Sequence, residues 1–272
     1  MSATSLSSRY RTAFITGAST GLGLAFTDML LAEGVEVWGT ARDPKRLSSR
    51  RGFHPVALEL GDAAVAEQIF LAADATAGGF DLVINNAGYG AFGPYAGTEF
   101  SVWQRQIELM LISTARLTHV ALRVQLARGR GAIVNISSLA AEFPLPYQSA
   151  YNMVKSGLSA LNESLMIETA GTGVIIIDFR PGDYRTDFEG SVVRSSAPTD
   201  ARQQRAWAAF GRLMADGPLP AHAAENLRRA LLRGRSGTVR TGRFFQAVIS
   251  PLLARFGSLS LRRSVIARYF DL

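Results

Sequence analysis

Short apolar, β-branched segments alternate along the chain with longer stretches in which apolar residues recur at helical spacing. The short segments are TAFITG, VEVWGTA, FDLVINNAG, GAIVNISS and GVIIIDFRPG, and the longest helical stretch is EFSVWQRQIELMLISTARLTHVALRVQLARG. Strands and helices that alternate through short turns predict a parallel sheet with helices on both faces. We therefore expect an α/β fold with a doubly wound parallel sheet, whose ligands bind beyond the carboxyl ends of the strands.

The length and composition set the outer limits. With 272 residues and 47% hydrophobic content, the chain can bury one large core, and we expect a single domain over residues 10–272. Residues 1–10 are polar and predict a loose lead-in without the apolar segment of a signal peptide, and no apolar run approaches a membrane span.

The rarity of two residue types excludes several chemistries. The chain has no cysteine and three histidines, which rules out thiolate catalysis and argues against a metal site or a Ser–His–Asp triad. We expect no bound metal. A chain without cysteine is also compatible with the reducing cytoplasm, which is the location we expect.

The net charge of +7 is unevenly distributed. Residues 201–272 carry 13 arginines against 3 acids, whereas residues 1–200 have a net charge of −3. One interpretation is a weak contact of the basic C-terminal region with an anionic membrane surface or an acidic partner. The alternative is a set of terminal helices with solvated arginine-rich faces. No nucleic-acid-binding motif accompanies the charge, so we expect no nucleic acid partner.

Tyr151 and Lys155 lie four residues apart in YNMVK, and Lys155 is one of only two lysines beside 27 arginines. If SAYNMVKSGLSALNESL is helical, the two side chains are neighbours on one face. Two unit charges about 4 Å apart at an effective dielectric constant near 20 interact by roughly 4 kcal/mol. That energy is enough to move the pKa of the phenol toward neutrality, where a proton donor or acceptor works best. Taken alone, the pair is explained more simply as a helix that carries one Tyr and one Lys.

A glycine-rich turn joins the first predicted strand to the first helix. Such a turn lets the backbone approach a pyrophosphate, and the helix N-terminus offers free N–H groups to it. The position of the turn favours dinucleotide binding over a purely structural turn. The expected cofactor-binding residues are Gly17, Ser19, Thr20, Gly21, Leu22 and Gly23.

The second predicted strand ends at Ala41-Arg42. NAD-binding turns of this type place Asp or Glu there to hold the ribose hydroxyls, whereas the guanidinium of Arg42 can hold a 2′-phosphate. The sequence therefore favours NADP over NAD, although arginine is common enough here to occur by chance. Asp62 follows VALELG and is expected either to contact the adenine or to cap the helix AAVAEQIF.

Two further strand ends complete a pattern. NNAG follows FDLVI and contributes Asn86, Ala87 and Gly88, and Ser138 ends GAIVNISS thirteen residues before Tyr151. A strand-end serine alone is usually a cap. With TGxxxGxG, NNAG and YxxxK in this order, however, the chain resembles the classical short-chain dehydrogenase/reductase family over about residues 10–190.

The resemblance implies a Rossmann-type domain that transfers a hydride between a nicotinamide cofactor and a carbonyl or alcohol. It implies that Tyr151 is the general acid in reduction and the base in oxidation, that Lys155 lowers its pKa and holds the nicotinamide ribose, and that Ser138 polarises the carbonyl oxygen. Pro181, Gly182 and Thr186 resemble the PGxxxT segment that passes the carboxamide. Members of the family are often homodimers or homotetramers, and we expect the same here.

The chain departs from the family pattern at one position. Members commonly carry Asn seven residues beyond an aromatic such as Trp103, where it organises a water for proton relay from the lysine. Here that position is Met110, and residues 103–119 contain no Asn. Either another group carries the relay or turnover is slower; an apolar helix packed against its neighbours is the plainer interpretation of the methionine.

The substrate is the least determined feature. In the family the segment after PGxxxT forms a substrate lid, here about residues 187–220, and the tail over about 237–272 resembles the helical extension of hydroxysteroid and retinol dehydrogenase-like reductases. Apolar residues in the lid favour a hydrophobic ketone or aldehyde, although their spacing also suits core packing. These residues are Phe188, Trp207, Phe210, Leu213 and Met214.

The sequence thus predicts an NADP(H)-dependent oxidoreductase, a carbonyl reductase or alcohol dehydrogenase for a small hydrophobic substrate. One alternative is a catalytically silent NADP-binding sensor or scaffold on the same fold, which only Met110 favours. A second is a sugar-nucleotide epimerase or dehydratase of the extended branch. That branch has TGxxGxxG spacing and a longer chain, and this sequence matches neither.

Overall fold

The computed structural model describes residues 5–47, 49–195 and 200–272. In this part of the chain a seven-stranded parallel sheet has the order β3-β2-β1-β4-β6-β7-β9, and a two-stranded ladder joins β5 to β8. The strands are β1 (Thr12–Ile15), β2 (Glu36–Ala41), β3 (Phe53–Ala57), β4 (Leu82–Asn85), β5 (Ala91–Phe92), β6 (Gly131–Ile136), β7 (Val174–Pro181), β8 (Val193–Arg194) and β9 (Gly237–Thr241). The predicted doubly wound parallel sheet is confirmed. The strand order reverses between β1 and β4, so the expected ligand site lies beyond the carboxyl ends of these two central strands.

Helices cover both faces of the sheet. They are α1 (Gly21–Ala32), α2 (Ala63–Ala77), α3 (Phe100–Ile107), α4 (Ser113–Arg128), α5 (Ser149–Glu168), α6 (Ala201–Ala215), α7 (Pro220–Arg233), α8 (Ser250–Phe256) and α9 (Leu259–Tyr269). A π-helical segment, Glu108–Ile112, joins α3 to α4, and another, Phe245–Ile249, precedes α8. Among the described helices none is long and apolar enough to cross a membrane.

The side chains of the strands alternate between two cores, as the two-residue period of a strand requires. On β1, Ala13 and Ile15 belong to the core beneath α1 and α7, whereas Phe14 belongs to the core beneath α2 and α4. Phe14 meets Phe70 edge to face with the ring centroids 5.1 Å apart. Because both faces are buried, the strands read as continuous apolar runs rather than as alternating ones.

Two predicted boundaries are wrong. Leu6 and Tyr10 are buried, and the Leu6 N–H donates to the Glu33 carboxylate at 2.9 Å, so residues 5–10 pack on the domain instead of forming a loose lead-in. Residues 1–4 lie outside the described residues. The tail is not helical from 237, because Gly237–Thr241 forms β9 beside β7. GTVRT is short and only partly buried, which makes its pattern weak.

The lid region combines a loop, β8 and α6. Phe210 and Met214 of α6 are buried in a small core with Phe270 from the C-terminal end, so the lid and the tail pack on each other. Val193 in β8 donates its N–H to the Gly90 carbonyl at 2.9 Å, which joins the lid to the loop after β4. Residues 196–199 of the predicted lid lie outside the described residues.

Asp178 in β7 is a fully buried carboxylate that joins three elements. Its Oδ2 accepts a hydrogen bond from the guanidinium of Arg180 at 2.6 Å, and its Oδ1 accepts from Asn162 of α5 at 3.1 Å and from the Ser137 hydroxyl at the end of β6. Each oxygen therefore has a donor. A buried charge that is paired and hydrogen-bonded in this way is tolerated, whereas its partner left alone is costly.

We expect Asp178→Ala to lower the free energy of unfolding by about 1–3 kcal/mol, because the buried donors of Asn162 and Ser137 lose their acceptor, while Arg180 keeps carboxylate partners at the edge of the cluster. Urea denaturation followed by circular dichroism measures the change. Asp28→Ala is the matched control, since Asp28 pairs with Arg50 at the surface and such pairs contribute about 0–1 kcal/mol. Equal losses in the two variants would contradict this role for Asp178.

Candidate active site

A cavity of about 1470 Å³ lies at the carboxyl ends of the strands, next to the point between β1 and β4 where the strand order reverses. Its lining runs from Gly17 near the start of the chain to Phe270 near its end. Every predicted site residue except Asp62 lines it: Gly17, Ser19, Thr20, Gly21, Leu22, Gly23, Arg42, Asn86, Ala87, Gly88, Ser138, Tyr151, Lys155, Pro181, Gly182 and Thr186.

The glycine-rich turn is held tightly at its base. Gly17 and Gly21 have φ of +69° and +56°, which side chains rarely adopt, and a Cβ on Gly23 would overlap the carbonyl oxygen of Gly17. The Asn86 amide donates to the carbonyls of Thr16 and Gly17 at 3.0 and 3.2 Å. The NNAG segment therefore fixes the position of the turn.

The turn presents backbone donors to the cavity. Thr20 occupies the N-cap position of α1 but makes no hydrogen bond with its side chain to the helix, so the first N–H groups of α1 have no side-chain cap. Together with the close backbone approach, these groups fit a pyrophosphate. The residues present are therefore suited to hold a dinucleotide.

The loop after β2 carries the next group of candidates. Arg42 is exposed at the cavity wall, where its guanidinium can reach a ligand. Asp43 also lines the cavity, but its Oδ1 accepts the Lys45 N–H at 3.0 Å. Asp62 caps α2, since its Oδ1 accepts the N–H groups of Ala64 and Val65 at 2.9 and 3.1 Å. Of the two roles open for Asp62, capping is the one observed.

Ser138, Tyr151 and Lys155 come together on one wall of the cavity. Ser138 caps a short turn by accepting the Ala140 N–H at 3.0 Å, its hydroxyl donates to the Pro181 carbonyl at 3.4 Å, and it is close enough to Tyr151 to lower the pKa of the phenol. Lys155 is buried, and its Nζ donates to the Ile136 carbonyl at 2.7 Å and lies 5.5 Å from the centre of the Tyr151 ring. The helix α5 thus places the phenol and the ammonium side by side, as the i, i+4 spacing predicted.

The acidities of this pair differ from the simplest expectation. Burial raises the pKa of Tyr151 to about 12, with the nearby Asp183 charge adding to the rise and the Ser138 hydroxyl opposing it. Burial likewise lowers the pKa of Lys155 to about 8, against the opposing charge of Asp178. The estimate from Coulomb's law alone therefore had the wrong direction, because it omitted the loss of solvation that both groups undergo.

Met110 lies in the π-helical segment between α3 and α4 and is buried against α5. Its sulfur accepts the Tyr89 N–H at 3.5 Å, and a Cβ on Gly88 would lie 2.9 Å from its methyl carbon. The methionine therefore packs over the NNAG turn and lines the cavity. Its thioether offers only a weak acceptor, where an amide would offer both donor and acceptor.

The far end of the cavity is built by residues that the motifs did not indicate. The C-terminal region contributes apolar side chains there, namely Phe245, Val265, Ile266 and Phe270. A polar group joins them, since Tyr269 and Gln246 both donate to the carboxylate of Asp183. Asp183 follows Pro181-Gly182 directly, so its place inside PGxxxT was the one sequence signal available. In the lid, Phe188, Phe210 and Met214 line the cavity, while Trp207 and Leu213 pack in the core beside it.

Comparison with known proteins identifies the family. The short chain dehydrogenase family model matches residues 11–197. An uncharacterized oxidoreductase of Schizosaccharomyces pombe is 31% identical over 209 residues, which make up 75% of this chain and 72% of the relative. The chain belongs to the short chain dehydrogenase family.

Solved structures agree with the fold. A short chain dehydrogenase/reductase of Burkholderia phymatum in complex with NAD superposes with a TM-score of 0.80 at 22% identity, covering 90% of this chain and 92% of that one. A short chain dehydrogenase of Burkholderia cenocepacia in complex with NADP gives 0.73 at 22% identity, covering 95% and 96%. Both share the sheet and the helices described above, and the match extends to nearly the whole chain.

We expect Gly23→Ala to lower the free energy of unfolding by about 1–3 kcal/mol, because the added methyl group forces the Gly17 carbonyl and the Asn86 amide apart. Urea denaturation measures the loss. Gly190→Ala is the matched control, since a Cβ on Gly190 meets nothing within 4 Å. A Gly23 variant as stable as this control would show that the base of the turn is not tightly packed.

Proposed function

We propose that the protein is an NADP(H)-dependent oxidoreductase that interconverts a hydrophobic ketone or aldehyde and its alcohol. The observation that carries the proposal is the meeting of Ser138, Tyr151 and Lys155 on the wall of a cavity whose other end is the glycine-rich turn. Membership of the short chain dehydrogenase family supports an oxidoreductase. The reaction, the cofactor preference and the substrate class are our inferences from the residues.

The roles of the three residues follow from their donors and acidities. In reduction, the Tyr151 hydroxyl donates its proton to the carbonyl oxygen while Ser138, close to the phenol on the same wall, polarises the same oxygen. The raised pKa keeps Tyr151 protonated at neutral pH, so it is ready as an acid. The ammonium of Lys155 donates one hydrogen bond to the Ile136 carbonyl, and its two other N–H groups can donate to a ribose hydroxyl. A nicotinamide cofactor supplies or accepts the hydride when it is bound.

The loop after β2 supports NADP over NAD. The exposed guanidinium of Arg42 lines the cavity, and Ala41 occupies the strand end at which NAD-binding turns place Asp or Glu. A 2′-phosphate needs a cation such as Arg42, whereas the free ribose hydroxyls of NAD are held by a carboxylate at that strand end. The glycine-rich turn, Asn86, Ala87 and Gly88 would hold the rest of the dinucleotide, with Pro181, Gly182 and Thr186 beside the nicotinamide.

The same fold also supports a second candidate, a catalytically silent NADP-binding sensor. Met110 is the observation that favours it, because the buried thioether cannot organise a water as an amide would. The complete set of Ser138, Tyr151 and Lys155 favours the enzyme. Tight NADPH binding without turnover of any carbonyl compound would favour the sensor.

For the intact protein we propose a cytoplasmic homodimer or homotetramer. Large apolar side chains stay exposed near the C-terminus, among them Phe244 and Phe256, which are 72% and 77% exposed. Exposed apolar groups of this size are typical of subunit contacts. The neighbouring arginines leave a weak contact with an anionic membrane surface as the alternative.

We expect Tyr151→Phe to lower kcat by at least about 100-fold and to change the Kd for NADPH by less than about threefold, since only the reacting proton is lost. Oxidation of NADPH at 340 nm with a panel of steroid, retinoid and aliphatic carbonyls measures turnover, and quenching of tryptophan fluorescence measures binding. In the reverse direction the rate of alcohol oxidation should rise with pH through the alkaline range, because the phenolate is the base and the pKa of Tyr151 is about 12. Turnover retained by Tyr151→Phe would overturn this assignment.

We expect Arg42→Asp to weaken NADPH binding about 10- to 100-fold and NADH binding by less than about threefold, because a charge-assisted hydrogen bond to the 2′-phosphate contributes about 1.5–3 kcal/mol. Fluorescence titration of both cofactors measures the two constants. Arg51→Asp is the matched control, since Arg51 is exposed but precedes β3, at the amino ends of the strands, and does not line the cavity. Equal losses for NADPH and NADH would remove the 2′-phosphate from the role of Arg42.

A further inference from the structure

Asp183 places a carboxylate inside the cavity, next to the catalytic wall. It follows Pro181-Gly182 at the end of β7 and lines the cavity with Tyr151. The two groups are close enough for the charge of Asp183 to raise the pKa of Tyr151. A group bound to Asp183 therefore lies beside the group that exchanges the proton.

Two side chains from the C-terminal region fix this carboxylate. Tyr269 donates its hydroxyl to Oδ2 at 2.8 Å, and the Gln246 amide donates to the same oxygen and, at 2.8 Å, to the Tyr269 hydroxyl. A Cβ on Gly182 would lie 2.6 Å from the Gln246 carbonyl oxygen, so the amide is packed tightly against the PGxxxT segment. The position of Asp183 is thus determined by contacts from two parts of the chain.

The second carboxylate oxygen is left over. Within residues 5–47, 49–195 and 200–272, both recorded hydrogen bonds of Asp183 end on Oδ2, and no arginine or lysine lies within ion-pair distance of it. The positive charge of Arg243 lowers the pKa of Asp183, but the Arg243 guanidinium forms its ion pair with Asp216, at 3.8 Å. Burial raises the pKa of Asp183. A carboxylate in such a place gains from one more donor.

The lid and the C-terminal region contribute mainly apolar side chains to the lining of the cavity that contains Asp183. Six apolar side chains from the lid and the C-terminal region line the same end of the cavity: Phe188, Phe210, Met214, Phe245, Ile266 and Phe270. A cavity of this kind takes a ligand with an apolar body and reads its polar groups through a few placed partners. An anionic substituent at this point would face the carboxylate and be rejected by like charge.

We infer that Asp183 determines substrate specificity by accepting a hydrogen bond from a donor group, a hydroxyl or an ammonium, that the substrate carries near its reacting carbon. This inference rests on the proposed function and narrows its substrate class from simple hydrophobic carbonyls to hydroxylated or aminated ones. Tyr269 and Gln246 are positioning residues in this arrangement, since they hold the carboxylate and need not touch the substrate.

The test uses three alcohols that differ only at the carbon beside the carbinol: 1-phenylethanol, 1-phenyl-1,2-ethanediol and 2-amino-1-phenylethanol. For each, kcat/KM is measured with NADP⁺ in the full-length wild-type protein and in Asp183→Ala. The quantity of interest is the ratio of kcat/KM for the diol or the amino alcohol to that for 1-phenylethanol. Any effect of Asp183 on the acidity of Tyr151 acts on all three alcohols, so the ratio removes it.

We expect the wild type to prefer at least one donor-bearing alcohol and Asp183→Ala to lower that ratio about 10- to 100-fold, which is the range for a hydrogen bond to a charged group. A larger fall for the amino alcohol identifies an ammonium as the donor, and a larger fall for the diol identifies a hydroxyl. An unchanged ratio in Asp183→Ala, or a wild type without preference, overturns the inference. If Asp183→Ala does not fold, Asp183→Asn replaces it, because it keeps the shape of the side chain and removes the charge. The ratio of kcat/KM for the amino alcohol to that for 1-phenylethanol should then fall in Asp183→Asn, and an unchanged ratio overturns the inference.

Asp216→Ala is the matched control, because it removes a 73% exposed carboxylate that faces the same Arg243. It should keep the wild-type ratio. Tyr151→Phe tests the proposed function separately from the role of Asp183, since it should stop turnover of all three alcohols. If the wild type oxidises none of them, calorimetric titration of the three into the NADP⁺-saturated protein gives the same ratio from Kd values. In that case the missing turnover contradicts the proposed function, while the ratio of Kd values still tests whether Asp183 binds the donor group.

Discussion

The active site depends on how the structure satisfies one buried charge, that of Asp178. The carboxylate has no access to solvent, so its position is set by its donors: Arg180 from its own strand, Asn162 from α5 and Ser137 from the end of β6. These elements are the ones that carry the residues of the catalytic wall. A displacement of α5 or β6 would remove a hydrogen bond from this buried carboxylate, which costs about 1–3 kcal/mol. The polar cluster therefore favours one arrangement of the three elements that form the site.

The same constraint explains the state of Lys155. Its ammonium is buried close enough to Asp178 for that charge to raise its pKa, but its own loss of solvation is the larger effect. The hydrogen bond to the Ile136 carbonyl then holds the ammonium at the end of β6. The two neighbours on α5 therefore behave as a pair that shares one desolvated environment. Their spacing could be predicted from the sequence, whereas their acidities could not, because these depend on everything packed around them.

Local sequence patterns predicted well which residues form the glycine-rich turn and line the cavity beside it. The turn from Gly17 to Gly23 is encoded within seven residues, and the need for close backbone approach leaves a visible glycine pattern. The central strands were equally easy to predict from the sequence, because burial on both faces gives unbroken apolar runs. The edge strand β9 was missed, since GTVRT is partly exposed and carries no such run. The burial of Leu6 was missed for a related reason: it depends on a hydrogen bond to Glu33, 27 residues away.

The part of the cavity lined by the lid and the C-terminal region could not be predicted in this way, and the reason is physical. Asp183 and Tyr269 lie 86 residues apart, and their hydrogen bond exists only because the C-terminal helices fold back over the end of β7. A contact at that separation leaves no periodicity and no fixed spacing in the sequence. The two parts of the cavity also differ in how they recognise a ligand, since the glycine-rich turn is a recurrent backbone arrangement for a pyrophosphate, while a substrate is recognised by side chains particular to its site. The class of cofactor can therefore be inferred from a motif, whereas the class of substrate has to be inferred from the charge and shape of the folded wall.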